Sequence, residues 1–147
     1  MKYIRFFEKW KLVVFILFIL SALSSFTVLD SYAPGEIIFS IIICLLIAVV
    51  PLLPDIIYLQ TPAKKSWSHW KYVEGNKANL RKGRASYGEL TPLYIDTELK
   101  YGTFSGSTGG KYRTTLRRCS CPDFKKRKAP CKHMYYIAAK CGVEKLR

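Results

Sequence analysis

Apolar residues fall along this chain in three regimes. Two long unbroken runs come first: "LVVFILFILSALSSFTVL", 18 residues from Leu12 to Leu29, and "IIFSIIICLLIAVVPLL", 17 residues from Ile37 to Leu53. Neither carries a charge or a polar face, so neither suits the one-sided helix of a soluble core. As helices, both reach the length needed to cross roughly 30 Å of hydrocarbon. The second run extends through Pro54 and Asp55 to Leu59. The expectation is a two-helix transmembrane anchor over residues 1–60, with spans at about 12–29 and 37–59. A cleaved signal peptide is the rival reading of the first run, which has a basic start. Its small-residue cleavage sites are poor: "SYA" is followed by Pro34, and "ALS" lies inside the run.

The second regime is alternation. Leu93, Ile95, Thr97, Leu99 and Tyr101 share one phase, with Tyr94, Asp96, Glu98 and Lys100 in the other. This two-residue period predicts a half-buried strand. "SGSTGG", Ser105 to Gly110, is a turn signal. Tyr112, Thr114 and Leu116 then alternate with Lys111, Arg113, Thr115 and Arg117, which predicts a second strand paired with the first.

The third regime is helical. Met134, Ile137 and Cys141 are spaced three and four apart, and Gly142 stands where a helix C-cap glycine belongs. Residues 61–92 show no sustained period and read as a basic juxtamembrane linker, with a short helix near Asn76 to Lys82. The predicted fold class is a membrane α-helical hairpin plus a small cytoplasmic α+β module over residues 93–147, a β-hairpin followed by a helix.

Charge sharpens the division. In Met1 to Gln60, four basic and four acidic side chains cancel, so the remaining residues carry the entire net charge of +14. Lys2, Arg5, Lys9 and Lys11 precede the first run, Lys64, Lys65 and Lys71 follow the second, and the connecting "DSYAPGE" has no basic residue. The positive-inside bias therefore predicts a multi-pass cell-membrane protein with both termini cytoplasmic and a tight Pro34-Gly35 turn outside. Trp10, Tyr58, Trp67 and Trp70 are expected at the cytoplasmic interface. Asp55 is expected to mark the end of the second span, just after Pro54 breaks the helix, and Cys44 to be lipid-facing or packing filler.

A reducing compartment directs attention to "CSCPDFKKRKAPCKH", Cys119 to His133, because clustered Cys and His there hold metal or act in catalysis rather than form disulfides. Cys119 and Cys121 leave one face of an extended segment, and Cys131 and His133 repeat the spacing at the mouth of the predicted helix. Two such pairs can close on one tetrahedral zinc ion as Cys3His. Basic neighbours favour the thiolates that bind it. The single residue inside each pair is not the usual two-to-four gap, so spacing leaves other chemistries open. A catalytic Cys–His pair needs an open, activated thiolate and an orienting third group. A redox switch uses the same thiols. Cys141 is a substitute ligand only if its core phase with Met134 and Ile137 is ignored, and His69 in "SWSHW" reads as an interfacial polar residue.

The same stretch resembles the SWIM-type zinc finger, whose pattern is Cys-x-Cys, a variable loop, then Cys-x-His. The Cys-Pro-Asp-Phe run at Cys121 to Phe124 and the Pro-Cys-Lys-His run at Pro130 to His133 carry the likeness. So does the strand-turn-strand approach "FSGSTGGKYRTTLRRCSC", and the resemblance spans about Thr103 to Val143. It implies Cys119, Cys121, Cys131 and His133 as ligands of one structural Zn2+, and a module that binds DNA or proteins without performing a reaction. The expected nucleic-acid or anion contacts are Arg117, Arg118, Lys125, Lys126, Arg127, Lys128 and Lys132, since such charge density attracts phosphate. The alternative is an adaptor for a protein partner whose basic tail docks on anionic lipid.

Overall fold

The computed structural model describes residues 6–24, 34–73, 75–87, 90–106 and 109–146. The chain divides into two compact units, Met1–Gln60 and Thr61–Arg147.

In the first unit, α1 (Lys9–Ser24) packs beside α2 (Pro34–Val49), and α3 (Leu53–Gln60) follows. Ile16, Leu17, Leu20, Phe39 and Leu46 are each more than half exposed, while the small Ala22 and Ala48 are buried. Among the described residues no single helix is long and apolar enough to cross a membrane. Ile38–Val49 and Leu53–Gln60 meet that measure together, bent by 56°. The bend falls at Pro51, not after Pro54 as the sequence suggested. Pro51 has no N–H to donate, and it pushes the residue before it out of helical backbone. Pro54 is tolerated at the second position of α3, where the missing N–H would have had no helical partner anyway. Pro34 and Gly35 open α2 instead of forming a turn. The rest of that expected loop, residues 25–29 of the first span, and Lys2 and Arg5 lie outside the described residues.

Asp55, expected to mark the end of the second span, forms an ion pair. Its carboxylate accepts from Lys11 Nζ at 2.5 Å, with both side chains largely buried. Three residues on, Tyr58 is buried, its ring stacked on Phe6 at 5.9 Å. Cys44 is half-buried.

The second unit is a small α+β fold built on an antiparallel sheet in the order β1 (Pro92–Asp96), β2 (Tyr101–Ser105), β3 (Lys111–Thr115). The sequence predicted one long strand where the structure has two. Asp96 interrupts the alternation: its Oδ1 accepts from the backbone N–H groups of Glu98 and Leu99 at 3.1 and 3.0 Å. A short carboxylate bonding the backbone two and three residues on is a turn former. Lys100 completes the reversal in the left-handed region, at φ 52°. The one expected pairing, across the "SGSTGG" turn, is present, with Phe104 opposite Tyr112 and Tyr101 opposite Thr115.

Residues 61–92, read as a linker with a short helix near Asn76 to Lys82, carry that helix as α5 (Asn76–Ser86) and, unexpectedly, α4 (Ala63–Trp67) and a 3-10 turn (Ser68–Trp70). α5 packs on the last helix, α7 (Lys132–Lys140), and buries Ala78 and Ala85. Trp67 and Trp70, expected at an interface, make contacts within this unit. Trp67 meets the Tyr135 ring edge-on at 5.5 Å and donates to Glu144 at 3.0 Å. Trp70 donates to the Leu116 carbonyl at 2.8 Å and lies edge-on to Phe124. An indole satisfied in this way costs nothing to cover.

α7 seats Met134, Ile137 and Ala138 in the core with no exposure. It lies so close to the sheet that a Cβ on Gly102 would stand 2.5 Å from Ile137 Cδ1. It ends as predicted: Gly142 has φ 68°, its N–H bonds the Ala139 carbonyl, and that of Val143 reaches Ala138. That pair of bonds is a Schellman cap.

Candidate metal centre

Each of the four predicted ligands is placed by a local device. After β3 the chain turns at Thr115–Arg118, where the Thr115 hydroxyl accepts from the N–H groups of Arg117 and Arg118. It then folds back so that Cys119 pairs with Thr114. Cys121 is the N-cap of α6 (Pro122–Arg127), with Pro122 at the first helical position, and its sulfur accepts from the Phe124 N–H at 3.4 Å. Cys131 is the N-cap of α7, and His133 is the second residue of that helix.

The result is convergence. One donor atom from each of Cys119, Cys121, Cys131 and His133 lies within 4.8 Å of the others, and all four residues are buried. His133 Nδ1 is 3.7 Å from both Cys119 Sγ and Cys131 Sγ. Donors about 2.0–2.3 Å from a tetrahedral zinc are about 3.5–3.8 Å from one another, so the spacing fits the ion. The imidazole is held by the Phe104 and Tyr112 rings, at 5.0 and 5.5 Å. Thr114 Oγ1 stands 3.2 Å from Cys119 Sγ, a further contact that orients a ligand.

Electrostatics point the same way. Protein groups alone support one thiolate here. Hydrogen bonds from Cys119 and Cys131 hold Cys121 well below the usual thiol range. The bond to Cys121 raises Cys119 to about 11, and the bonds to Cys119 and Cys121, with burial, push Cys131 up. Three thiolates together require a cation, which inverts this balance.

With that geometry in view, comparison with family models gives a match. Residues 105–142 match the SWIM zinc finger. The match takes in all four converging residues and roughly a quarter of the chain. Comparison with curated proteins and with solved structures returns no match. The SWIM finger and the buried Cys3His group are compatible with one structural zinc ion.

Other candidates fall elsewhere. Cys141 lies at the β1–β2 turn, its sulfur 3.7 Å from the Thr97 carbonyl, and His69 is exposed against Trp70. Arg117 and Arg118 are exposed at the turn before Cys119. The "KKRK" stretch ends a helix. Lys125, Lys126 and Arg127 form the last turn of α6, where cations suit the carbonyl end, and Lys128 caps it at φ 53°. Arg127 forms an ion pair with Asp123 one turn earlier.

Only Arg127 and Lys132 of the expected anion-binding residues border the cleft beside the metal centre. Sequence reading missed Arg81 and Arg84 of α5, which border it too. Their three-residue spacing on a helix was the available signal.

Proposed function

We propose that this protein is a membrane-anchored zinc-finger protein whose zinc-stabilised basic module binds nucleic acid at the cytoplasmic face. The convergence of Cys119, Cys121, Cys131 and His133 carries the reading, because it turns a basic tail into a folded surface. Structural zinc supplies on the order of 10–16 kcal/mol of binding energy in finger peptides, enough to fix the segment that carries the four donors. Arg117, Arg118, Lys125, Lys126, Arg127, Lys128 and Lys132 lie on the same segment as the ligands and give it the charge that attracts phosphate. No catalytic role is proposed for the thiols, since four protein donors saturate a zinc ion.

Anchoring is supported by the apolar side chains that the first unit leaves uncovered. Contiguous exposure on that scale marks a membrane or protein contact. Two passes with both termini cytoplasmic follow from the lysine and arginine distribution.

The second reading is an adaptor that docks on a protein partner or an anionic leaflet. The exposed Leu80 on α5 and Tyr87 at its C-cap, at 64% and 81%, favour it.

The test uses the full chain in neutral detergent. Zinc content is measured by mass spectrometry, and affinity for an oligonucleotide and for anionic vesicles is followed against salt, with and without Cys131→Ser. Stoichiometric zinc and oligonucleotide binding that needs the intact site are expected. Binding indifferent to Cys131→Ser would overturn the nucleic-acid function, and unchanged zinc content in that variant would overturn the ligand set.

A further inference from the structure

Beside the metal centre lies a cleft of about 300 Å³ whose walls bring together charges far apart in sequence. Arg81 and Arg84 come from α5, Arg127 from α6 and Lys132 from α7, with Tyr112 of β3 along one side. The one carboxylate lining it, Asp123, is engaged by Arg127. Positive charge is therefore in clear excess in a concave place, where low-dielectric walls focus the field on an incoming anion. A zinc ion with three thiolates and an imidazole would contribute about one negative charge and leave that excess in place.

The arginines are suited to phosphate. A guanidinium presents several N–H donors in a planar fork that matches two phosphate oxygens. Arg81 is oriented by its own bond, Nη1 to the Pro130 carbonyl at 3.3 Å. Arg84 follows three residues later on the same helix. A cleft of this size admits a backbone phosphate with its sugar, and an aromatic wall beside a cationic groove is how single strands are held.

We propose that this cleft seats a backbone phosphate of a single-stranded nucleic acid, with Arg81 and Arg84 as its forks and Lys132 as a point charge. The proposal rests on the nucleic-acid reading above and moves the principal phosphate-binding residues to α5, outside the matched residues 105–142.

The test compares two variants of equal charge change in the full, zinc-loaded chain. Arg84→Glu alters the cleft. Lys64→Gln with Lys65→Gln alters α4, away from the cleft. Binding of a short single-stranded oligonucleotide is followed by fluorescence anisotropy across salt. Arg84→Glu is expected to weaken binding about tenfold or more and to lower the salt slope by about 0.7 for each phosphate no longer neutralised. The α4 variant should weaken binding by less than about threefold, the share of a charge remote from the bound strand. Zinc content and melting temperature report folding, and Arg84→Gln, matched by Lys64→Gln alone, replaces the pair if either falls.

Equal weakening by the two variants, or wild-type affinity in Arg84→Glu, overturns the cleft while leaving nucleic-acid binding intact. Vesicles bearing phosphorylated inositol form the second arm. Arg84-dependent binding to these, with none to the oligonucleotide, overturns the nucleic-acid reading and keeps a phosphate cleft. Absence of binding in both arms overturns both.

Discussion

Trp70 donates its indole N–H to the Leu116 carbonyl at 2.8 Å, and that bond ties a segment without hydrophobic period to the strand end preceding the metal ligands. The ring also meets Phe124, three residues past Cys121. Trp70→Ala removes both interactions from a half-buried position. We expect a destabilisation of about 2–4 kcal/mol, read as a lower urea midpoint for the second unit. A midpoint within error of wild type would mean that residues 61–92 are not part of the cooperative fold.

Gly102 is a second point where stability should respond sharply. Gly102→Ala forces a Cβ to within 2.5 Å of Ile137 Cδ1. Overpacking of this kind costs about 1–3 kcal/mol. Ile137→Val deletes the opposing methyl group, so the double variant should recover part of the stability. A double-mutant cycle showing simple additivity would rule the contact out.

Zinc retention should depend on pH in one direction. With Cys119 at about 11 and Cys131 also raised, the metal-free site holds those two thiol protons through neutral pH, whereas the zinc-loaded site has shed them. Binding therefore releases protons, and affinity rises with pH and falls in acid. Calorimetry in buffers of different ionisation enthalpy should show that release at neutral pH. A chelator should unfold the second unit and leave the helical signal of α1–α3.

In the first unit, the Lys11–Asp55 pair lies largely out of water. Asp55→Asn strands a buried cation, a change that costs about 3–5 kcal/mol. Lys11→Met with Asp55→Leu removes both charges and should restore most of it. Thermal unfolding in detergent distinguishes the two. An Asp55→Asn chain as stable as wild type would show that the pair contributes nothing.

How much of the molecule is legible in its sequence varies with the physics of each segment. The ligand set is plain, because four donors on fifteen consecutive residues leave few ways to converge. Gly142 and the phase of Met134 and Ile137 are equally direct. The β1–β2 turn is hidden because Asp96 and Lys100 fit the outward phase of a strand as well as they fit a turn. α5 is legible only as a short helix near its start, because it buries alanines, Ala78 and Ala85, which add little to any hydrophobic period. The protein contacts of Trp67 and Trp70 are not legible because an amphipathic ring suits a bilayer surface and a half-buried protein contact alike. Arg81 and Arg84 gain meaning only when α5 is laid against α7, an adjacency that no local pattern announces.

The indoles also impose an order of events during synthesis. Trp67 waits for Glu144, 77 residues later, and Trp70 waits for Leu116, 46 residues later. A ribosome adding about 5–20 residues per second keeps these rings uncovered for several seconds. In that interval the nascent segment has no metal to clasp and no sheet to lean on. Chaperones, and any nearby lipid, have first access to it.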